Sequence, residues 1–186
     1  MNKRHQLEQL KQKVLMDPHL PFKETATNLV FGAGSEDPKV LFIGEAPGKN
    51  EDLTGLPFVG AAGKVLSELM ESIGLKREDV YITSVIQYRP PKNRDPKPAE
   101  IALFEPYLNE QLNILNPKVI VTLGRFSLGK FIPNAKVADI HGKPQKAIWR
   151  NKNLIIIPLY HPAAVIYRQS LKEILKQDFQ TIKKFI

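Results

Sequence analysis

KVLFIGEAPGKNEDLTGLPFVGAAG, residues 39–63, is the stretch on which the fold turns. Its first six residues, Lys39 to Gly44, form an apolar run bounded by turn residues, the pattern of a short strand buried on both faces. A loop dense in glycine and acid follows from Glu45 to Gly60. Beyond it Val65, Leu66, Leu69, Met70 and Ile73 recur at the spacing of one helical face, and Gly74 stands where a helix end is closed. Strand, glycine-rich loop and helix make up the repeating unit of α/β proteins, whose parallel sheets carry their sites at the carboxyl ends of the strands.

The pattern persists on both sides. Upstream, Leu7, Leu10, Val14 and Leu15 predict an opening helix from Met1 to Leu15, stopped by Asp17-Pro18. Downstream, Tyr81 to Ile86 reads as a second strand leading into Arg89-Pro90-Pro91-Lys92-Asn93-Arg94-Asp95-Pro96, and Pro98 to Leu115 as a helix. Lys118 to Gly124 gives a third strand, Arg125 to Ile132 a short helix, and Leu154 to Tyr160 a fourth strand with His161-Pro162 at its edge. Pro133 to Lys152 is basic and poorly patterned, and an amphipathic helix from Leu171 to Ile186 closes the chain. The expected architecture is a single domain, residues 1–186, of three-layer α/β/α type around a central, mainly parallel four-stranded sheet. Loops 44–60, 84–96 and 160–168 then fall at the same sheet edge.

Composition narrows the function classes. With 42% hydrophobic and 25% charged residues, the chain has the material for one globular core. Lys and Arg total 27 against 19 Asp and Glu, a net charge of +8 with a pI near 9.6, which favours a polyanionic partner, nucleic acid ahead of an anionic membrane surface. No run approaches a membrane span and the charged start has no signal-like apolar core, so a cytosolic location is expected. Cysteine is absent, which excludes disulfides, a thiol nucleophile and any cysteine-held zinc or iron–sulfur cluster.

The candidate chemistry lies in the three loops. In the first, five glycines from Gly44 to Gly63 surround Glu45, Glu51 and Asp52, so backbone can approach a ligand closely among carboxylates. Neither Gly-Lys-Ser/Thr nor G-x-G-x-x-G occurs there, which argues against a phosphate or dinucleotide loop. Phe58 either stacks on a ligand or plugs the core. His161, directly after a buried strand and before a proline, is held at the sheet edge; with His5, His19 and His141 the only others and no metal-ligand spacing, no metal site is expected. Arg89, Lys92 and Arg94, set among prolines, form a rigid cationic edge suited to phosphates.

Taken together, Gly44 to Asp52 with Gly55 to Gly63 resembles the first motif of the family 4 uracil-DNA glycosylases. Tyr81-Ile82-Thr83 running to Pro96 is similar to the second, and His161-Pro162-Ala163-Ala164 with Leu171-Lys172-Glu173 to the third. The resemblance covers about residues 28 to 183. It implies a glycosylase that flips deoxyuridine out of single- or double-stranded DNA and hydrolyses the base–sugar bond, leaving an abasic site. By that likeness His161 bonds uracil O2 as it gains charge, Phe58 stacks on the base and the Glu45-Ala46 turn adds backbone donors. Glu45 lies toward water and sugar and Glu51 toward the base edge, or the reverse. Arg89, Lys92, Arg94, Tyr167 and Arg168 hold the flanking phosphates. No lysine suited to lyase chemistry is evident, and a monomer without cofactor is expected.

Two departures from the family pattern stand out. The four cysteines that hold a [4Fe–4S] cluster in family 4 correspond here to Asp17, Leu20, Tyr88 and Phe104, so packing is expected to replace the cluster. The family's uracil-reading asparagine corresponds to Ser84, whose single hydroxyl cannot pair with O4 and N3–H at once, leaving base preference open to a shift. A DNA-binding protein of the same fold with impaired catalysis is the alternative.

Overall fold

The computed structural model describes residues 2–186; Met1, the first residue of the expected opening helix, lies outside them. That helix, α1 (Lys3–Met16), starts where the Asn2 side chain accepts the His5 N–H at 2.9 Å and ends at Asp17 ahead of Pro18. It buries Leu7, Leu10 and Val14 of the predicted stripe, and the fourth member, Leu15, is half-buried against them.

The strands are β1 (Ala33–Gly34), β2 (Val40–Gly44), β3 (Tyr81–Ser84), β4 (Val119–Leu123), β5 (Gln145–Trp149) and β6 (Lys152–Leu159), in the sheet order β1-β3-β2-β4-β6-β5. Four of them, β3, β2, β4 and β6, run parallel, with Phe42 level with Ile82 and Val121, and Val121 with Ile157. The expected four-stranded sheet is thus its parallel centre, and the count is corrected to six by an antiparallel strand at each edge. Both were illegible for physical reasons. β1 is two residues long, and β5 lies on an edge with alternate residues in solvent, Ile148 among them at 79% exposure, so its composition reads as loop.

The alternation of strand side chains divides the interior into two cores. Val40, Phe42, Val121 and Ile157 face α3 (Ala61–Glu71) and α8 (Leu171–Ile182), where Phe42 stacks on Phe179 at 6.1 Å between ring centres. Leu41, Ile43, Ile120 and Ile156 face α1 and α4 (Pro98–Leu115). This is the expected α/β/α layering. The short helices α2 (Lys49–Thr54), α5 (Arg125–Phe131), α6 (Val137–Ile140) and α7 (Ala163–Tyr167) lie in the connections, α2, α5 and α7 directly after loops at the carboxyl ends of β2, β4 and β6. Among the described residues no helix is long and apolar enough to cross a membrane.

Candidate active site

The three loops converge as the alternation implied. Glu45, Ala46, Glu51 and Phe58 from the first, Ser84 and Arg94 from the second, and His161 and Tyr167 from the third line one cleft of about 260 Å³. That is below the roughly 300–1,000 Å³ of sites for drug-sized ligands and suits a single base. Arg89, Lys92 and Arg168 lie outside its lining.

Gly44 ends β2 opposite Ser84, and a Cβ on it would come within 2.7 Å of the Phe58 ring and 3.3 Å of the Ser84 hydroxyl. The strand therefore ends in glycine because an aromatic ring lies across it. Phe58 is buried among core side chains and also lines the cleft, so the core reading holds and the residue stands where a ligand could meet it. It holds φ at +53°, a region bulky residues seldom occupy.

Glu51 lines the cleft and has a further occupation that its spacing did not reveal. Its Oε1 accepts the Val59 and Gly60 N–H groups at 2.9 and 2.8 Å and its Oε2 the Gly48 N–H at 3.1 Å, so both oxygens stitch the two arms of the loop together. Asp52, buried beside it, accepts the Thr27 and Asn28 N–H groups and ties the loop to the segment before β1. Glu45 is the less encumbered acid. It is half-buried, and desolvation raises its pKa above the ordinary 4.5, with Asp95 adding to the shift and Arg125 opposing it. Arg125 opens α5 and pairs with Asp95, which places a cation and an anion beside Glu45 that the sequence reading missed. A charged residue just past an apolar strand was the available signal.

His161 follows β6 with its ring 5.6 Å from that of Phe58. Burial pushes its pKa down to about 4, against the pull of the Glu51 carboxylate, so the imidazole is neutral at physiological pH. Its Nδ1 accepts the Ala163 N–H at 3.2 Å, which leaves the ring's single proton on Nε2. The ring is a neutral hydrogen-bond donor.

The second loop is more self-contained than expected. Lys92 and Asn93 both have positive φ, and Arg89 Nε donates to Asn93 Oδ1 at 2.7 Å. Arg94 meets the Glu100 carboxylate with both terminal nitrogens, at 2.9 and 2.6 Å, drawing the Glu100 pKa down to about 2, and lies over the Phe22 ring. Arg94 therefore reaches the rim with its charge already paired to Glu100, a partner that its reading as a phosphate contact did not include. Lys92 and Arg168 are exposed, and Tyr167 stands at the mouth of the cleft with 90% of its surface in solvent.

The positions assigned to cluster ligands cannot hold iron. Leu20, Tyr88 and Phe104 are buried in one core, with the Tyr88 and Phe104 rings 6.2 Å apart, and the Tyr107 hydroxyl donates to Asp17 at 2.6 Å. Side chains fill the space between α1, the second loop and α4, and no thiolate is present.

The profile of the Uracil DNA glycosylase superfamily matches residues 31–183. The Type-4 uracil-DNA glycosylase of Archaeoglobus fulgidus is 48% identical over 165 residues, covering 86% of this chain and 82% of the relative. The Type-4 uracil-DNA glycosylase of Sulfurisphaera tokodaii is 42% identical over 96% of this chain and 84% of its own length, and that of Thermotoga maritima 41% over 89% and 87%.

Proposed function

The chain belongs to the uracil DNA glycosylase superfamily, and on that premise we propose that it removes uracil from DNA with the cleft residues in the roles set out below. It is a monofunctional DNA glycosylase, hydrolysing the N-glycosidic bond between base and deoxyribose and leaving an abasic site. The reacting nucleotide must leave the stack to reach a cleft this small, whether the DNA is single- or double-stranded, and a monomer suffices, because one chain supplies every residue that lines the cleft.

As the bond stretches, positive charge grows on the sugar and negative charge on the departing uracil. His161 is suited to the second: a neutral donor with its proton on Nε2 strengthens its bond to uracil O2 as that oxygen becomes anionic, and it carries no charge that would hold the free base afterwards. Backbone N–H groups of the Glu45-Ala46 turn add donors. Glu45 faces the sugar, where its carboxylate stabilises the cationic carbon and orients the attacking water. Glu51 holds the loop in shape and lends its negative charge to the site without giving up an oxygen. Phe58 stacks on the extruded base. Ser84 offers one hydroxyl at the base edge, and uracil is read with one contact fewer than an amide would make. Arg89, Lys92, Tyr167 and Arg168 hold the strand on either side, with Arg94 in support.

The observation that carries this reading is the neutral, Nε2-protonated His161 beside Phe58 in a base-sized cleft. The test is base release from oligonucleotides carrying uracil, hypoxanthine or xanthine, scored by alkaline cleavage. Uracil is expected to be released fastest. Release of another base alone would make Ser84 a specificity switch, and tight DNA binding with no release would contradict the reading in favour of an impaired binding protein.

A further inference from the structure

Phe58 is held at φ +53° although nothing in its own chemistry favours that conformation, so the surroundings must impose it. Gly63, in the first turn of α3, supplies room: a Cβ there would lie 1.8 Å from the Phe58 carbonyl oxygen, so α3 packs directly beneath that peptide. Glu51 takes the next two amides, Val59 and Gly60, from one side. From the other side comes Arg77, at the start of the short 3-10 turn between α3 and β3. Its Nη1 donates to the Phe58 carbonyl at 3.0 Å and to the Ser67 hydroxyl at 3.3 Å, and its Nη2 to the Pro57 carbonyl at 2.5 Å. The guanidinium is half-buried, burial lowers its pKa, and Glu51 attracts it across the turn.

We propose that Arg77 is a positioning residue for uracil excision, clamping the Pro57 and Phe58 carbonyls so that the Phe58 ring is fixed beside His161 as the surface on which the extruded base stacks. A planar fork spans two carbonyls where an ammonium meets them as a point, so lysine cannot replace it. A purely structural arginine would support the fold equally whether or not Phe58 carried a ring. The inference rests on the excision reading above, and its test separates the two.

The experiment measures single-turnover uracil release and oligonucleotide affinity for the wild type, Arg77→Lys and Arg77→Met, each with Phe58 intact and with Phe58→Ala, together with hydrogen exchange at Val59 and Gly60. Arg77→Lys is expected to fold and to slow release about 10- to 100-fold while affinity stays within about threefold, because a small misplacement of a reacting partner is costly. In the Phe58→Ala background the same change should cost less than about twofold, since residues acting through one another are not additive. Exchange at Val59 and Gly60 should quicken in Arg77→Lys. Equal losses in the two backgrounds, or an unchanged rate, would overturn the proposal. Unchanged exchange would overturn it even if the wild type released no uracil, a result that by itself would sink only the excision reading; should Arg77→Met fail to fold, the lysine variant decides alone.

Discussion

At the scale of single residues, Glu45 and His161 titrate in ways that separate their roles. Burial raises the Glu45 carboxyl above 4.5, so the native state binds its proton at higher pH than the unfolded chain does; ionised Glu45 therefore costs stability at neutral pH, a cost relieved as pH falls through its raised value. On the role proposed for Glu45 activity moves the other way, because it is the carboxylate form that would serve the cationic sugar. Single-turnover rates should fall on acidification in a window above pH 4.5, while His161, pushed down to about 4, stays neutral across it. Glu45→Gln should abolish that acid limb, lower the neutral rate about 100-fold and raise stability toward urea at pH 7. An acid limb that survives the substitution would assign it to another group. Glu45 and His161 were legible as candidate cleft residues because each stands just past a buried strand, a place sequence patterning can find. That Glu51 spends its oxygens on backbone amides, and that Arg94 is paired with Glu100, depends on loop conformation and cannot be read from spacing.

Among elements, the telling feature is how α1 joins α4 without a cluster. Leu20, Tyr88 and Phe104 occupy that junction as packed side chains, and Phe104, 1% exposed, sits at its centre. Phe104→Ala should destabilise the fold by about 3–5 kcal/mol, the usual cost of emptying a buried aromatic site, as read from urea unfolding. A loss under about 1 kcal/mol would mean that the junction contributes little. The long elements were legible because burial imposes a period: Pro98–Leu115 is found as read, and the parallel strands differ from expectation by at most two residues at either end. Short and edge elements gave no such signal. The stretch from Pro133 to Lys152, read as poorly patterned, holds the four-residue α6 and the edge strand β5, where burial does alternate but apolar Ile148 faces solvent and polar Gln145 faces inward, so the residue types do not.

For the molecule as a whole, the net charge of +8 sets how DNA is held. Arg89, Lys92 and Arg168, if each neutralises one phosphate, give a dependence of log affinity on log salt with slope about −3, and Lys92→Ala should reduce its magnitude by about 1. A slope unaffected by Lys92 would move the strand to another part of the surface. Charge favoured a polyanionic partner without locating where it would lie; the sheet brings three distant loops to one edge, which is where the proposed strand contacts stand. On the proposed function, this edge cleaves the uracil–sugar bond through a neutral His161. That role is tested most directly by single-turnover uracil release from a DNA oligonucleotide, comparing the wild type with His161→Ala at matched, saturating protein. Release by the wild type, slowed at least about 100-fold in the variant with DNA affinity nearly unchanged, is the predicted result; release at equal rates, or none from either protein, would contradict it.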